Sequence, residues 1–257
     1  MAKILLILAV LLGTPALAHA EDAAARTILK AVIDKNSAGF QTGQSKTTLT
    51  TQFASGNART LETLSRVIRN SAGLLRTRVT FLGPADFVGT ELLIVDLGGG
   101  QAAQHLWLPK TKRLRRMSGT ALNEPFMGSD FSFGDLQGHG LQGGEAKKLG
   151  DEAVAGVACA KIEVAVKDDS DPYGRVLLWI DEKLAVPRRV QYFDKAGALQ
   201  KTLEVEKVRA IDGGRALLEK FSMTSHVRKS VTRVETRDID TKAVLPESLF
   251  VPEALGK

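Results

Sequence analysis

Few of the residues that usually carry catalysis occur in a pattern suited to it. The only cysteine is Cys159, and a reactive thiolate needs a positive or basic neighbour that this stretch of sequence does not provide. His105, His139 and His226 lack metal-ligand spacing such as His-x-x-x-His. The acidic run Asp168–Asp171 lacks the glycine and the closing glutamate of a calcium loop, which indicates a hairpin turn. We therefore expect neither an enzyme nor a metal or other cofactor.

A basic cluster is the first candidate binding feature. It consists of Lys110, Lys112, Arg113, Arg115 and Arg116. Such cations can bind the phosphate groups of an anionic membrane or an acidic protein surface. Alternatively, they protect a solvated sheet edge from aggregation. For the cluster as a whole we favour docking.

A phenylalanine-rich loop follows, and we call residues 117–138 the flap. Large apolar groups without regular spacing indicate a binding surface or a lid. We predict that the flap closes over an apolar cavity, whereas packing on one end of a core remains the alternative. The pattern Ser132-x-x-Asp135 matches a capping box and predicts a short helix near Phe133, which Gly134 weakens. The candidate cavity and lid residues, including two from an N-terminal helix, are Phe126, Met127, Phe131, Phe133, Leu136, Ile28 and Val32.

The chain begins with an export signal. Lys3 precedes the apolar run Ile4–Leu12, and Ala18–Ala20 has the small-x-small pattern of a cleavage site. We expect cleavage after Ala20 and a soluble periplasmic protein of one domain, residues 21–257. No cysteine near the cleavage site offers a lipid anchor, and no later stretch is apolar enough to span a membrane. A net charge of +6 fits anionic lipid or acidic protein partners, and no pattern indicates nucleic-acid binding.

The remaining patterns predict one helix and many strands. Asp22–Asn36 has helical spacing, with Ala24, Ile28, Leu29, Val32 and Ile33 on one face. Arg59–Arg69 fits a strand or a helix. Short turns separate the later runs, which indicates an antiparallel meander. Strands with one charged face predict a sheet with one solvated side, and Cys159 falls on that side by parity. The predicted strand runs are 46–53, 59–69, 74–82, 89–95, 104–108, 157–166, 175–180, 188–193, 199–209, 216–223 and 229–239.

Several blocks resemble the family of outer-membrane lipoprotein-sorting proteins. The similarity runs in order from about Thr77 to Phe250, and Met127–Ser132 is its most specific part. The similar blocks are Phe81–Leu93, Leu106–Arg116, Met127–Leu136, Leu178–Asp181, Val186–Arg189, Phe193–Gly197 and Leu245–Phe250. The closing block is expected to be a docking segment or a short helix.

The resemblance implies a mainly β, LolA/LolB-like fold. This is a half-open antiparallel β-barrel, a strongly curled sheet whose apolar concave face is covered by an N-terminal helix and a helix or loop lid. It also implies a carrier that moves acyl chains of a lipid or lipoprotein between inner-membrane and outer-membrane components, with a transporter or an acceptor as partner. A lipid-sensing regulatory module and an envelope-modifying enzyme are the alternatives. The sequence does not assign a position to the arginine that latches the lid in that family; Arg66 and Arg69 are suggested only by their place in an early segment.

Overall fold

The computed structural model describes residues 22–36, 42–138, 140–141, 144–211 and 214–257. The predicted signal peptide and its cleavage site lie outside the described residues, and so does His139. No helix in these ranges is long and apolar enough to cross a membrane.

One antiparallel sheet of thirteen strands accounts for most of the described chain. The strand order is β6-β5-β4-β3-β2-β1-β13-β12-β11-β10-β9-β8-β7, so β6 and β7 are the two edges. The sheet is strongly curled and does not close, which confirms the predicted mainly β, half-open fold. The strands are β1 Thr42–Gln52, β2 Ala58–Arg69, β3 Leu75–Gly83, β4 Glu91–Gly98, β5 Gln101–Leu108, β6 Arg113–Met117, β7 Glu145–Val154, β8 Val157–Ala165, β9 Tyr173–Asp181, β10 Val186–Asp194, β11 Leu199–Ile211, β12 Arg215–Ser225 and β13 Ser230–Asp240.

Apolar and charged side chains alternate along the strands, so the concave face of the sheet is apolar. In β8 and β9 the side chains of Ile162, Val164, Val176 and Leu178 are almost completely buried there. Because side chains alternate between the two sides of a strand, the charged residues between them point to the convex side. The predicted strands are confirmed, and Arg59–Arg69 is a strand. The strand β7 was not predicted, because its many charged residues hide the alternation.

The helix α1, Ala23–Asn36, covers part of the concave face near β7, β10 and β12. Asp22 caps its first turn by accepting from the backbone N–H groups of Ala24 (2.9 Å) and Ala25 (3.3 Å). Ile28, Leu29 and Val32 pack on the core as predicted. The prediction was wrong at two positions. Ala25 is the buried alanine whereas Ala24 is exposed, and Ile33 is 47% exposed.

The expected turns are also present. Gly98–Gly100 connects β4 and β5 as a hairpin, with positive φ at all three glycines. The capping box forms in full. The Ser132 N–H donates to Asp135 Oδ2 (2.7 Å), and the Asp135 N–H donates to Ser132 Oγ (3.1 Å). The helix that follows is a single 3-10 turn, Asp135–Gln137, and ends at Gly138 in the left-handed region (φ 79°).

The C-terminal segment, residues 245–257, packs on the convex face. Phe250 and Leu255 are buried against Ile68 and Leu93. Glu247–Phe250 is a 3-10 helix, so both expectations for the closing block are confirmed. This segment explains why charged Arg78 and Glu91 are buried on the convex side of the sheet.

Cys159 does not lie on a solvated surface, contrary to the prediction from parity. It is only 2% exposed, in a small cluster with Val154 and Trp179. The alternation along β8 does place Cys159 on the convex side, but Val154 and Trp179 cover this part of the sheet. Burial raises the pKa of the Cys159 thiol, which disfavours the reactive thiolate.

His105 makes the stability of the convex side dependent on pH. Burial, and then the charge of Arg116, lower the pKa of His105 below its ordinary value of 6.5. The folded protein therefore favours the neutral ring, and protonation favours the unfolded chain. We expect the free energy of unfolding to be fully maintained above the ordinary pKa and to fall as pH drops below it.

The measurement is denaturant unfolding at about pH 5 and about pH 7.5. His105→Gln should reduce the difference between the two free energies of unfolding. His226→Gln, at a surface histidine, should keep the difference seen in the parent protein. An unchanged difference in His105→Gln would contradict the prediction.

Candidate binding cavity

A cavity of about 390 Å³ lies between the concave face of the sheet and the flap. Its walls come from β1, β2, β3, β4, β12 and β13, and of these strands β12 also lies near α1. Volumes of this order are typical of small-molecule sites. The lining residues are Ser45, Thr47, Leu49, Thr63, Ser65, Val67, Leu75, Thr77, Val79, Ile94, Phe126, Phe131, Asp135, Leu136, Leu217, Leu218, Phe221, Val234 and Thr236.

The predicted cavity residues occupy three different places. Phe126, Phe131 and Leu136 line the cavity from the flap side. Phe133 is 3% exposed and packs edge-on against Phe126, with 5.5 Å between the ring centroids. Met127 packs on the core at the edge of the flap.

Ile28 and Val32 pack on the core from α1 and are not among the residues that line this cavity. The structure therefore brings together the flap residues but not the helix residues. A role of any of them in lipid binding stays a prediction.

Asp130 anchors one end of the flap to β13. Its carboxylate accepts from the hydroxyls of Ser230 and Thr232, the latter at 2.8 Å, and Arg228 Nη1 lies 3.6 Å away. The Asp130 side chain is completely buried. Thr232 Oγ1 also accepts from the Asp130 N–H (2.9 Å). Backbone and side chain of Asp130 are thus both fixed to one strand.

Asp135 anchors the other end of the flap. Its carboxylate accepts from Tyr173 Oη (2.8 Å) and forms an ion pair with Lys201 Nζ (2.7 Å). Burial, and then the charge of Asp135, raise the pKa of Tyr173 above its ordinary range. Burial also raises the pKa of neighbouring Tyr192. Tyr173 consequently stays protonated and donates to the flap at all physiological pH values.

Arginines also hold the flap, but they are not the two suggested by the sequence. Arg228 donates to the carbonyls of Ser129 (2.6 Å) and Gly128 (2.9 Å). Arg59 Nη1 donates to the Met127 carbonyl (3.4 Å). Arg69 instead donates to the Gly73 carbonyl in its own hairpin.

Arg66 pairs with Arg78 across β2 and β3, and its side chain points to the convex side, away from the flap. Sequence reasoning thus missed Arg59 and Arg228 as flap-binding residues. It also missed Asp130, Tyr173 and Lys201. In the sequence, only the block Met127–Leu136, which resembles the lipoprotein-sorting family, pointed to this part of the flap.

The basic cluster lies at one edge of the sheet, on β6 and the turn before it. Two of its cations have partners. Lys110 pairs with Asp86 (2.8 Å) and Arg115 with Glu124 (2.7 Å), all four being exposed. Such pairs contribute little to stability. Lys112, Arg113 and Arg116 are also exposed, so the cluster is accessible to a partner, and docking stays a prediction.

In the part of the chain that the structure describes, no group of three or more His, Cys, Asp or Glu side chains could hold a metal ion. Beside the cavity, the main polar groupings are the two flap anchors, whose hydrogen bonds are made within the protein. The flap therefore covers the cavity and is held to the sheet by the contacts of Asp130 and Asp135.

Comparisons with known proteins identify the family and the fold. A family model described as "uncharacterized protein" matches residues 74–257. The chain belongs to this family. No curated protein sequence matches it significantly.

Comparison with solved structures shows that this chain has a LolA/LolB-like fold. A lipoprotein-sorting domain from Vibrio parahaemolyticus superposes with a TM-score of 0.83 at 23% identity, covering 91% of this chain and 99% of that one. A DUF1329 family protein from Desulfovibrio piger gives 0.82 at 22% identity, covering 90% and 98%. A LolA superfamily protein from Nitrosomonas europaea gives 0.66 at 18% identity, covering 88% and 97%.

Proposed function

We propose that this protein is a periplasmic carrier that holds acyl chains of a lipid or lipoprotein in its cavity. The observation that carries the proposal is an unfilled space on the concave face beneath an aromatic flap. In the other half of the sheet the same face is closed by packed side chains and α1. Resemblance of the fold to a lipoprotein-sorting domain supports the proposal.

Binding needs no covalent step. Burial of apolar chain surface supplies about 25 cal/mol per Å², and Phe126, Phe131 and Leu136 offer such surface from above. Release requires that the flap separates from the sheet. The energy holding Asp130 and Asp135 in place therefore sets how readily the cargo enters and leaves.

The basic cluster would provide contact with the donor or acceptor. Each cation near an anionic membrane contributes about 1 kcal/mol. An inner-membrane transporter or an outer-membrane acceptor with an acidic surface fits the same charges. The exposed edge strand β6 places these cations beside the flap, where transfer would take place.

The test is native mass spectrometry of protein purified from its own periplasm, followed by organic extraction of the bound molecule. We expect one lipid or acylated peptide per chain. Transfer of that molecule between vesicles identifies a carrier. Stoichiometric binding of a protein partner without transfer would favour the regulatory alternative.

Filling the cavity should abolish binding. Leu218 lines the cavity on β12, and Leu218→Trp places an indole in the space required by a chain. We expect a loss of affinity for a fluorescent fatty acid of about tenfold or more, because the bound chain would have to share a filled space with the indole, and such overpacking costs about 1–3 kcal/mol.

The matched control is Leu97→Trp, since Leu97 is 54% exposed in the β4–β5 hairpin. It should leave the affinity for the fatty acid unchanged. Equal affinities of both variants and the parent would contradict binding in this cavity, and failure of the parent to bind would overturn the proposed function.

A further inference from the structure

One wall of the cavity carries a band of hydroxyl groups. It crosses four neighbouring strands, β3, β2, β1 and β13. In the sheet register Ser45 lies opposite Ser65, and Thr47 lies between Thr63 and Thr236. The six residues of this hydroxyl band are Ser45, Thr47, Thr63, Ser65, Thr77 and Thr236.

Half of these hydroxyls have no partner in the described part of the chain. Thr63 donates to the Thr47 carbonyl (3.3 Å), and the hydroxyls of Thr47 and Thr236 are 3.5 Å apart. Ser45, Ser65 and Thr77 make no side-chain hydrogen bond with any described residue. Ser45 is only 4% exposed. Ser65 and Thr77 are half-buried. A ligand that displaces water from these hydroxyls must replace its hydrogen bonds, so this wall is suited to a ligand with complementary groups.

The preference of threonine for strands does not explain the band. Serine has no such preference, yet two serines face each other at its centre. In the half of the sheet formed by β8 and β9, the same concave face carries Ile162, Val164, Val176, Leu178 and Ile180. The sequence therefore changes from apolar to hydroxyl-bearing residues where the face borders the cavity.

The band is neutral. Asp135 is the only ionisable residue among those that line the cavity, and its carboxylate is engaged by Lys201 and Tyr173. A charged group placed here would lose its hydration without gaining an opposite charge. A bare hydrocarbon chain would displace water from the hydroxyls without replacing its hydrogen bonds.

We propose that the hydroxyl band recognises uncharged hydrogen-bonding groups of the cargo, namely the ester and hydroxyl groups of an acylglycerol region. The apolar chain lies against Phe131, Leu136 and Phe221, and the glycerol region lies on the band. This inference rests on the proposed lipid-binding function and specifies the class of lipid.

The experiment compares two neutral probes, monoolein and 1-octadecene, which differ in the glycerol ester. Their affinities are measured by displacement of a fluorescent fatty-acid methyl ester, which carries no charge. The variant Ser45→Ala/Thr47→Val/Ser65→Ala nearly preserves side-chain volume and removes three hydroxyls. We expect its affinity for monoolein to fall by about tenfold or more, whereas its affinity for 1-octadecene stays equal or rises.

The matched control is Thr50→Val, on β1 but on the opposite face, where it should change neither affinity. The three single substitutions are measured as well, so that a poorly folding triple variant does not decide the outcome. Equal changes for both probes, or none, would overturn the role of the band while leaving the lipid-binding function standing. Failure of both probes to bind the parent protein would overturn both.

Discussion

Replacing Glu91 with glutamine is expected to lower the free energy of unfolding by about 3–5 kcal/mol, because it leaves a buried guanidinium without its counter-charge. Arg78 Nη2 donates to both oxygens of Glu91, at 2.7 and 2.8 Å, and both side chains are under one-tenth exposed. Arg78 also donates to the carbonyls of Leu249 (3.0 Å) and Ala254 (3.1 Å), and Gly256 N–H donates to Glu91 (2.8 Å). The pair thus fastens the C-terminal segment to the sheet.

Denaturant unfolding and limited proteolysis of the C-terminal segment measure this effect. The double variant Arg78→Met/Glu91→Leu should recover much of the lost stability, because apolar residues can replace a buried pair. It should still show faster proteolysis, since the carbonyls of Leu249 and Ala254 lose their donors. Glu204→Gln is the control. Glu204 pairs with Arg189 in an exposed position, and such pairs contribute about 0.2–1 kcal/mol. A loss of similar size for Glu204→Gln would contradict the prediction.

Replacing Asp130 with alanine should detach one end of the flap. The change removes the acceptor for Ser230 and Thr232 and the counter-charge for Arg228. Thr51 lies 2.9 Å from Thr232 in the same hydroxyl chain, so several buried groups lose their partners together. Each buried hydrogen-bonding group left without a partner costs about 1–3 kcal/mol.

Hydrogen exchange distinguishes opening of the flap from global unfolding. We expect faster exchange in residues 124–138, with β8 and β9 remaining protected, because the anchor connects only the flap to β13. Bound lipid should also dissociate faster. Asp86→Asn is the control, since Asp86 is exposed beside Lys110, and it should change neither rate. Uniformly faster exchange would show that Asp130 supports the whole sheet, not the flap alone.

The two anchors have consequences for a carrier. Asp130 fixes the flap to β13, whereas Asp135 fixes it through Tyr173 on β9 and Lys201 on β11. Phe131, between them, lines the cavity. A lid held by polar contacts at both sides can open when a membrane or a partner competes for those contacts.

The sequence by itself determined most elements of this fold. Alternation in β8, the helical spacing of α1 and the Ser132-x-x-Asp135 capping box are local patterns, and each formed as predicted. They can be read from the sequence because each depends on residues within a few positions of one another. The flap was recognised for a similar reason, since Phe126, Phe131 and Phe133 lie close together without regular spacing.

Only the tertiary structure decided which of these residues meet. The contact between Asp130 and Thr232 joins residues 102 positions apart, and the buried pair of Arg78 and Glu91 depends on a segment from the far end of the chain. Parity placed Cys159 on the outer face correctly, yet covering side chains buried it, and Arg78 on the same convex side is buried as well. The cavity itself is a space between the flap and six neighbouring strands that come from both ends of the described chain. Its shape follows from the curl and pairing of the whole sheet, and no local pattern encodes it.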